Sequence, residues 1–322
     1  MRLSRVVAVL GAFALATLSI SGSASAAGNA GAGLWPVGFQ AGETSTDCGS
    51  FALDSNTFCY DAGDGRAVEL GVKFTTVKPI VISGVRVYRV DNSSQETGSL
   101  WSSDGTLLAT GQFGSSTDHG WSDLAFSQPV AISPGQTYIA SYYTQNAYAF
   151  EYQYFTNSAH TVGPITALQS TQADPNGVYC YVGESCNMFP TNTYRDLNYW
   201  VSPLWAYSFT GFFQPVDNGL WNVAKAGSAI PVKFSLGGNL GLDILKAGYP
   251  TATFVPCPGA SAATDAIEQT VTAGSSSLTY DTTAGQYVYV WKTNKAWAGK
   301  CVSFELGLND DTSHSFLVQF PK

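Results

Sequence analysis

Histidine is scarce in this sequence of 322 residues, which contains only His119, His160 and His314. Each lies in a stretch rich in Ser, Thr or Asp, so we expect all three to be solvated loop residues. The motifs G-x-S-x-G and H-E-x-x-H, which place a nucleophilic serine or a zinc ion, are both absent. Because a Ser-His-Asp triad also needs a serine on a strained turn, the sequence indicates no assembled catalytic site.

Charged residues are also few, at 12% of the chain, and the basic ones are rarer than the acidic ones. Fifteen Lys and Arg stand against 23 Asp and Glu, which gives a formal net charge of −8. An acidic surface repels polyanions. We therefore expect no nucleic-acid partner and no affinity for anionic lipid.

A sustained apolar pattern with the helical period of 3.6 is missing as well. Segments that alternate apolar and polar residues recur instead, for example 67–74, 80–90, 147–155 and 301–308. They are separated by Gly, Pro, Asn and Asp, as is typical of antiparallel sandwiches and barrels. The sequence predicts an all-β protein of two antiparallel β-sandwich domains, jelly-roll-like in the N-terminal part and Ig-like in the C-terminal part.

The N-terminus has the pattern of a secretory signal peptide, which we predict to be residues 1–26. Arg2 and Arg5 precede an uncharged apolar stretch, and Ala24-Ser25-Ala26 provides an A-x-A cleavage site. The apolar stretch is shorter than the roughly 20 residues that cross a bilayer. We therefore expect secretion and no transmembrane span, with an uncleaved anchor as the alternative. Cleavage would leave 13 basic and 23 acidic residues, a net charge of −10.

The rest of the chain is long enough for two domains. A Gly- and Ala-rich stretch suggests a flexible leader at 27–46, followed by a first sandwich at 47–210 and a second at 211–322. We place the boundary near Gly211, where the composition changes. The oligomeric state is not indicated by any pattern in the sequence.

All six cysteines follow the predicted signal peptide, where disulfides persist after export. Their spacing includes no C-x₂₋₄-C pair of the kind that binds zinc. Sequence cannot fix the connectivity, and sequential pairing is the simplest arrangement. It predicts three bridges: Cys48–Cys59, Cys180–Cys186 and Cys257–Cys301.

Several motifs in the first two thirds of the chain resemble those of one bacterial secreted family. They are ELGVKF at 69–74, GSLWS at 98–102, PGQTYIASY at 134–142, NGVY at 176–179 and NYWV at 198–201. In combination they resemble the family called domain of unknown function 4082, over about Leu34 to Phe209. The family offers no known catalytic residue to transfer.

The last third resembles the PxKF domain of actinobacterial exported proteins. The motifs are PVKF at 231–234, WKT at 291–293, WAGKC at 297–301 and DTSH at 311–314. Members of both families typically are accessory modules of surface or secreted proteins. The two resemblances together imply an exported, non-catalytic role.

Aromatic residues are the most abundant chemical feature, with 17 Tyr, 18 Phe and 8 Trp. Most large rings in a sandwich fill its core, but tyrosine tolerates half-exposure because it has a polar hydroxyl. In a strand at 147–155, Tyr148, Phe150, Tyr152 and Tyr154 share one face. We select six candidate ligand-binding residues from this region: Tyr148, Tyr152, Tyr154, Tyr179, Tyr181 and Tyr194.

Two acidic patterns are weaker candidates. Calcium, if bound at all, is expected at Asp61 and Asp64 in the turn DAGDG, although this turn lacks the full D-x-D-x-D-G pattern and also fits an ordinary Asp/Gly turn. A glycosidase needs two facing carboxylates, and Glu151 with Glu184 or Asp196 is the pair that the sequence offers. We expect no other cofactor.

Three functions remain open at this point. The first is a secreted, non-enzymatic module that binds polysaccharide or cell-wall glycan through exposed aromatic rings. The second is a structural or adhesion protein of the cell surface whose partner is another protein. The third is a glycan hydrolase with an unrecognised site.

Overall fold

The computed structural model describes residues 31–35, 58–61 (by their backbone), 66–89, 97–114, 120–145, 147–184, 187–259, 262–267 and 277–322. In these residues the secondary structure is almost entirely β, with one short 3-10 turn at Lys295–Trp297. This confirms the predicted all-β class. No helix within the described ranges has the length and apolarity needed to traverse a bilayer.

The part of the chain up to residue 206 consists of short strands joined by turns. They are β1 (Phe58–Asp61), β2 (Val68–Thr76), β3 (Ile80–Arg89), β4 (Thr97–Ser102), β5 (Leu107–Gln112), β6 (Gly120–Ile132), β7 (Tyr138–Thr144), β8 (Tyr148–Glu151), β9 (His160–Val162), β10 (Ile165–Ala167), β11 (Val178–Tyr181), β12 (Asn192–Thr193) and β13 (Val201–Ala206).

Two antiparallel sheets of this part face each other. The larger has the order β12-β11-β2-β7-β4-β5, with β10 also paired to β2 and β9 paired to β10, and the smaller has the order β13-β3-β6. Alternate residues of β2 and β3, such as Leu70, Phe74, Ile82 and Val85, belong to one buried apolar cluster between the sheets. A separate pair, β1 with β8, is also antiparallel.

Strand β3 contains an irregularity that keeps its apolar residues on the core side. The register with β6 shifts between Ile82 and Gly84, so the inward positions change from even numbers to odd ones and Val85 stays buried. Glycine is required here, because a Cβ at position 84 would lie 1.9 Å from the carbonyl oxygen of Leu124.

The remaining strands form the C-terminal part of the protein. They are β14 (Thr210–Phe213), β15 (Trp221–Val223), β16 (Ala229–Ser235), β17 (Thr251–Val255), β18 (Thr264–Ala266), β19 (Leu278–Asp281), β20 (Gln286–Lys292), β21 (Cys301–Gly307) and β22 (Ser313–Gln319).

These strands form a second pair of sheets, with the orders β14-β16-β20-β19 and β17-β21-β22-β15-β18. All pairings are antiparallel except those of β15, which runs parallel to β18 and β22. Val232 and Phe234 of β16, Phe304 of β21 and Val318 of β22 are buried together between the sheets. The architecture is that of antiparallel β-sandwich domains, as the sequence predicts.

The two parts meet at residues 207–209, where the chain changes sheets. Strand β13 pairs with β3, whereas β14, which contains Gly211, pairs with β16. The backbone N–H of Tyr207 donates to Oδ2 of Asp310 (2.6 Å), and the Tyr207 hydroxyl donates to Oδ1 of Asn309 (2.6 Å). Because Tyr207 and Asp310 are buried, this junction is packed rather than an open linker.

Residues 31–35 fall in the segment expected to be a flexible leader, but the structure packs them against the first sandwich. Ala32 forms a two-bond antiparallel bridge with Trp205, and the N–H of Leu34 donates to the Ser202 hydroxyl (2.7 Å). Leu34 and Trp35 are almost fully buried. The apolar side chains of Leu34 and Trp35 are therefore part of the core, although Gly and Ala dominate the sequence around them.

Three of the six cysteines, Cys180, Cys257 and Cys301, have side chains that the structure describes. Cys257 and Cys301 form a disulfide, which confirms that predicted pair. Cys180 is also disulfide-bonded, but Cys186, its predicted partner, lies outside the described residues. Cys48 lies outside them too, as does the side chain of Cys59.

Candidate functional site

A cleft of about 310 Å³ lies beside strands β2, β8 and β11 of the first sandwich, and tyrosine dominates its lining. We call it the tyrosine cleft. Its lining residues are Val68, Leu70, Tyr148, Phe150, Tyr152, Tyr179, Tyr181, Tyr194, Leu197 and Tyr199. Five of the six tyrosines selected from the sequence thus lie together, and none of these described lining residues is charged.

Strand pairing brings the two halves of the cleft together. In the register of β11 with β2, Tyr179 lies opposite Leu70 and Tyr181 lies opposite Val68. Residues directly opposite in an antiparallel pair share a face of the sheet, so both tyrosine rings stand over the apolar floor that β2 provides. The rings of Tyr179 and Tyr181 contact each other edge to face, with centroids 5.6 Å apart.

Strand β8 supplies the facing wall. Tyr148, Phe150 and Tyr152 all line the cleft, in accordance with the period of two in an extended chain. The strand ends at Glu151, and Gln153 adopts a left-handed conformation with φ 56°. The chain therefore turns before it reaches position 154.

Tyr154 is for this reason not part of the cleft. The expectation that it shares the face of Tyr148 is therefore not met. Its hydroxyl accepts a hydrogen bond from Nε1 of Trp35 (3.1 Å), and its ring packs edge to face on Trp200. Burial raises the pKa of Tyr154 above its usual value. This residue belongs to the aromatic cluster that holds the segment 31–35.

Tyr199 is a cleft residue that we did not select from the sequence. It is buried, and desolvation raises the pKa of its hydroxyl well above the usual value, with smaller contributions from Tyr179, Tyr181 and Tyr152. The hydroxyl therefore stays protonated and neutral at physiological pH. The aromatic motif Tyr199-Trp200 was visible in the sequence, but nothing local showed which of the two rings faces the cleft.

Two arginines flank the cleft. The guanidinium of Arg66 lies 3.7 Å from the ring centre of Tyr181 and pairs with Glu184 at 2.8 Å. That of Arg195 lies 5.2 Å from the ring centre of Tyr194 and 5.7 Å from that of Tyr152. Cation–π contacts of this kind hold a guanidinium flat on a ring while its N–H groups stay accessible at the edge. Neither arginine was selected from the sequence.

The rings of the cleft form a concave surface and not a flat platform. Tyr148 meets Tyr199 at 69°, and Phe150 meets Tyr152 at 89°. Tyr194, at the mouth, is 48% exposed, whereas Tyr148, Tyr152, Tyr179 and Tyr181 are half-buried. Such a shape encloses a small group or the end of a chain.

The three carboxylates considered for hydrolysis have different surroundings. Glu184 pairs with Arg66, and Asp196 accepts a hydrogen bond from the Thr156 hydroxyl (2.8 Å). Glu151 is half-buried, and desolvation raises its pKa. None of the three is among the residues that line the tyrosine cleft.

The predicted calcium turn falls largely on residues that the structure does not describe. Asp64 and the side chain of Asp61 lie outside the described residues. Among the residues that are described, no group of three or more His, Cys, Asp or Glu side chains is arranged to hold a metal ion.

His160 and His314 are strand residues with partners, not solvated loop residues as expected. The His160 ring stacks on Trp35 with centroids 5.6 Å apart, and its Nε2 lies 2.9 Å from the carbonyl oxygen of Leu34. The His314 ring stacks on Phe209 at 3.5 Å, and desolvation lowers the pKa of His314 to about 4. Both rings serve packing. His119 lies outside the described residues.

The comparison with known families locates the cleft within a recognised domain. Residues 56–201 match the family described as domain of unknown function (DUF4082). All the residues that line the tyrosine cleft fall inside this DUF4082 region, which confirms the resemblance stated for the first part of the chain. No curated protein matches the chain.

Proposed function

We propose that this protein is a secreted, non-enzymatic module that binds carbohydrate, of the polysaccharide or cell-wall glycan class, in the tyrosine cleft of its DUF4082 region. The observation that carries the proposal is the convergence of Tyr148, Tyr152, Tyr179, Tyr181 and Tyr194 on one concave site. These rings come from two separate stretches of the chain.

The chemistry of the lining suits a sugar. A pyranose ring has a face of C–H groups and an edge of hydroxyl groups, and tyrosine offers an apolar ring face together with a hydroxyl that donates and accepts hydrogen bonds. Rigid aromatic residues also give contact area at a low entropic penalty. The apolar floor of Val68 and Leu70 completes a site that excludes water beneath the ligand.

The dimensions of the site favour a short ligand segment. Small-molecule pockets have volumes of roughly 300–1,000 Å³, and the cleft, at about 310 Å³, is at the small end. Because its rings meet at steep angles, it does not match the flat surface of a crystalline polysaccharide. We propose that it binds a chain end or a short soluble oligosaccharide.

The location and context of the module are also part of the proposal. The signal-peptide pattern of residues 1–26 supports export, and the motifs of the last third support a PxKF domain of the actinobacterial type. The PVKF motif lies in β16 and the second half of the WAGKC motif leads into β21, both central to the C-terminal sandwich. In this proposal the second domain presents the DUF4082 region outside the cell.

Binding to a glycan array, followed by affinity electrophoresis of the mature chain on the soluble glycans that bind, tests the proposal. Tyr148→Ala, Tyr179→Ala and Tyr181→Ala should each weaken binding by about 1–3 kcal/mol, by analogy with the loss of one base stacked on an aromatic ring. Tyr143→Ala is the matched control, because Tyr143 is half-buried opposite Glu69, on the other face of the sheet.

The outcomes separate the competing functions. If the mature protein binds no glycan, the adhesion or structural function replaces this one. If it binds and all three substitutions are silent in folded variants, the glycan site lies elsewhere. Release of reducing sugar from a bound glycan would favour the hydrolase.

A further inference from the structure

The charges around the tyrosine cleft differ from those of the protein as a whole. The chain has a formal net charge of −8, yet among the described residues that line the cleft none is a carboxylate, and both arginines at its edge contact lining rings. At physiological ionic strength, charges are screened beyond about 8 Å. The groups at the cleft, and not the net charge, therefore decide which ligand charge is accepted.

The two arginines are not equivalent. Arg66 already has a carboxylate partner, Glu184, at 2.8 Å. Arg195 is exposed, and none of the carboxylates within the described ranges forms an ion pair with it. Asp196, its neighbour in sequence, accepts from Thr156 instead.

The backbone holds Arg195 in position at the mouth of the cleft. Its carbonyl oxygen accepts a hydrogen bond from the N–H of Gln153 (2.9 Å), at the turn that follows Tyr152. Both Gln153 and Arg195 have positive φ, 56° and 49°, so two tight turns meet at this point. The guanidinium thereby lies near the rings of Tyr152 and Tyr194, which come from two separate stretches of the chain.

We infer that the cleft prefers an acidic saccharide, with a pyranose ring among the tyrosines and an oxyanion of that sugar, a carboxylate or a phosphate, paired with Arg195. A guanidinium matches such groups with two parallel N–H donors. This inference rests on the proposed function and narrows its ligand class. It also departs from the expectation, drawn from the net charge, that the acidic surface repels polyanions.

Ligands that share a sugar but differ in charge test the inference. Oligogalacturonate and its methyl ester form one pair, and glucose 6-phosphate and glucose form the other, which distinguishes a carboxylate from a phosphate. Binding to the mature chain is measured by calorimetry at low and at physiological salt. In at least one pair, the acid should bind about tenfold more tightly than its neutral partner, the lower end of what a hydrogen bond to a charged group contributes.

Substitutions at Arg195 test whether this residue causes the preference for the acid. Arg195→Gln should abolish the preference, so that the acid and its neutral partner bind with equal affinity, and Arg195→Lys should retain part of the preference. Lys225→Gln is the control, since Lys225 is an exposed cation of the C-terminal part, and it should change neither affinity. Circular dichroism and thermal melting confirm that each variant is folded.

The results distinguish the inference from the function on which it rests. Equal binding of acid and neutral partner in both pairs, or a preference that survives Arg195→Gln, overturns the acidic preference while glycan binding still stands. If neither the acidic nor the neutral saccharides bind and the glycan array shows no binding, the acidic preference and the proposed function are both wrong. A preference that Arg195→Gln removes, in either pair, supports the inference and identifies the oxyanion.

Discussion

Glu69 has a carboxyl group without access to solvent, near the start of β2. It is 1% exposed, and the hydroxyl of Ser141 donates a hydrogen bond to its Oε1. Ser141 in turn accepts from Nε1 of Trp101 (2.8 Å). Desolvation outweighs this hydrogen bond and raises the pKa of Glu69 from 4.5 to about 8, so the native protein favours the protonated form.

This shift makes the stability of the protein depend on pH. Between about pH 4.5 and pH 8 the unfolded chain releases the proton of Glu69 while the folded protein keeps it, so the free energy of unfolding falls as pH rises. Each unit of pKa difference corresponds to about 1.4 kcal/mol. Glu69→Gln keeps an oxygen acceptor for Ser141 but has no proton to release. We therefore expect its free energy of unfolding to lack the decline of several kcal/mol that the parent shows over this pH range.

Urea unfolding at pH 5, 6, 7 and 8 measures the difference. The decisive quantity is the difference between the parental and variant slopes of unfolding free energy against pH. Titrations that the two proteins share, such as that of His314, cancel in this difference. Glu305→Gln, a change of a partly exposed carboxyl on β21, serves as the control and should keep the parental slope. Parallel curves for the parent and Glu69→Gln would contradict the buried-carboxyl account.

At the level of elements, a single antiparallel β-bridge joins the segment 31–35 to β13 of the first sandwich. Besides its bridge to Trp205, it is held by the Nη1 of Arg86, which donates to the carbonyl oxygen of Trp35 (3.2 Å). Arg86 is itself paired with Asp123 through two short hydrogen bonds. The Trp35 ring stacks on Trp121 at 6.3 Å, so a short segment fixes several aromatic residues.

We expect Trp35→Ala to destabilise the protein by about 3–5 kcal/mol, because it removes a buried ring and leaves a cavity. Trp35→Phe should restore much of this loss. Leu242→Ala, at a side chain that is 56% exposed, should have little effect. The free energy of unfolding in urea provides the measurement, and a loss below about 1 kcal/mol for Trp35→Ala would show that the segment is dispensable.

Local sequence patterns predicted the elements but not how distant ones meet. The alternation Tyr148, Phe150, Tyr152 was visible in the sequence, and these residues line the cleft. The exclusion of Tyr154 was not, because it depends on a positive φ at Gln153, a conformation that non-glycine residues seldom adopt. The position of Tyr179 depends on the pairing of β11 with β2, more than 100 residues apart in the chain.

Local sequence patterns also failed to predict that the segment 31–35 is buried. Gly and Ala are compatible with a mobile leader, and no alternating run marks Ala32 as a strand residue. Its burial comes from a long-range bridge to Trp205 and from the apolar surface that Trp121 and Trp200 expose to it. Composition measures local preference, whereas these contacts join residues about 90 to 170 positions apart.

At the scale of the whole molecule, the two sandwiches share buried structure. One contiguous cluster of buried apolar residues extends through both, with Trp205 and Tyr207 on one side of the junction and Phe212 on the other. Asp310, fully buried, accepts hydrogen bonds from the N–H of Tyr207 and from both the N–H and the hydroxyl of Thr312. A second tie joins Nζ of Lys78 to the carbonyl oxygen of Leu240 (2.7 Å).

These contacts predict that the two sandwiches unfold together. We expect a single calorimetric transition for the mature chain. Separating the sandwiches would expose the aromatic stack of Phe209 on His314 and leave the N–H of Tyr207 without its hydrogen-bond acceptor. Asp310→Ala removes the acceptor of that buried N–H, a loss of about 1–3 kcal/mol. The variant should show two transitions, or one broadened transition at lower temperature.

Asp311→Ala is the matched control for this experiment, since Asp311 is the adjacent acid but its carboxylate pairs with the exposed Lys246 at 2.8 Å. Exposed ion pairs contribute little, so this variant should retain the single transition. Limited proteolysis adds a second measurement: cleavage between residues 206 and 211 should be slow in the parent and faster in Asp310→Ala. Two resolved transitions in the parent, with rapid cleavage at the junction, would show that the sandwiches are independent and that the contacts of Tyr207 and Phe209 do not couple them.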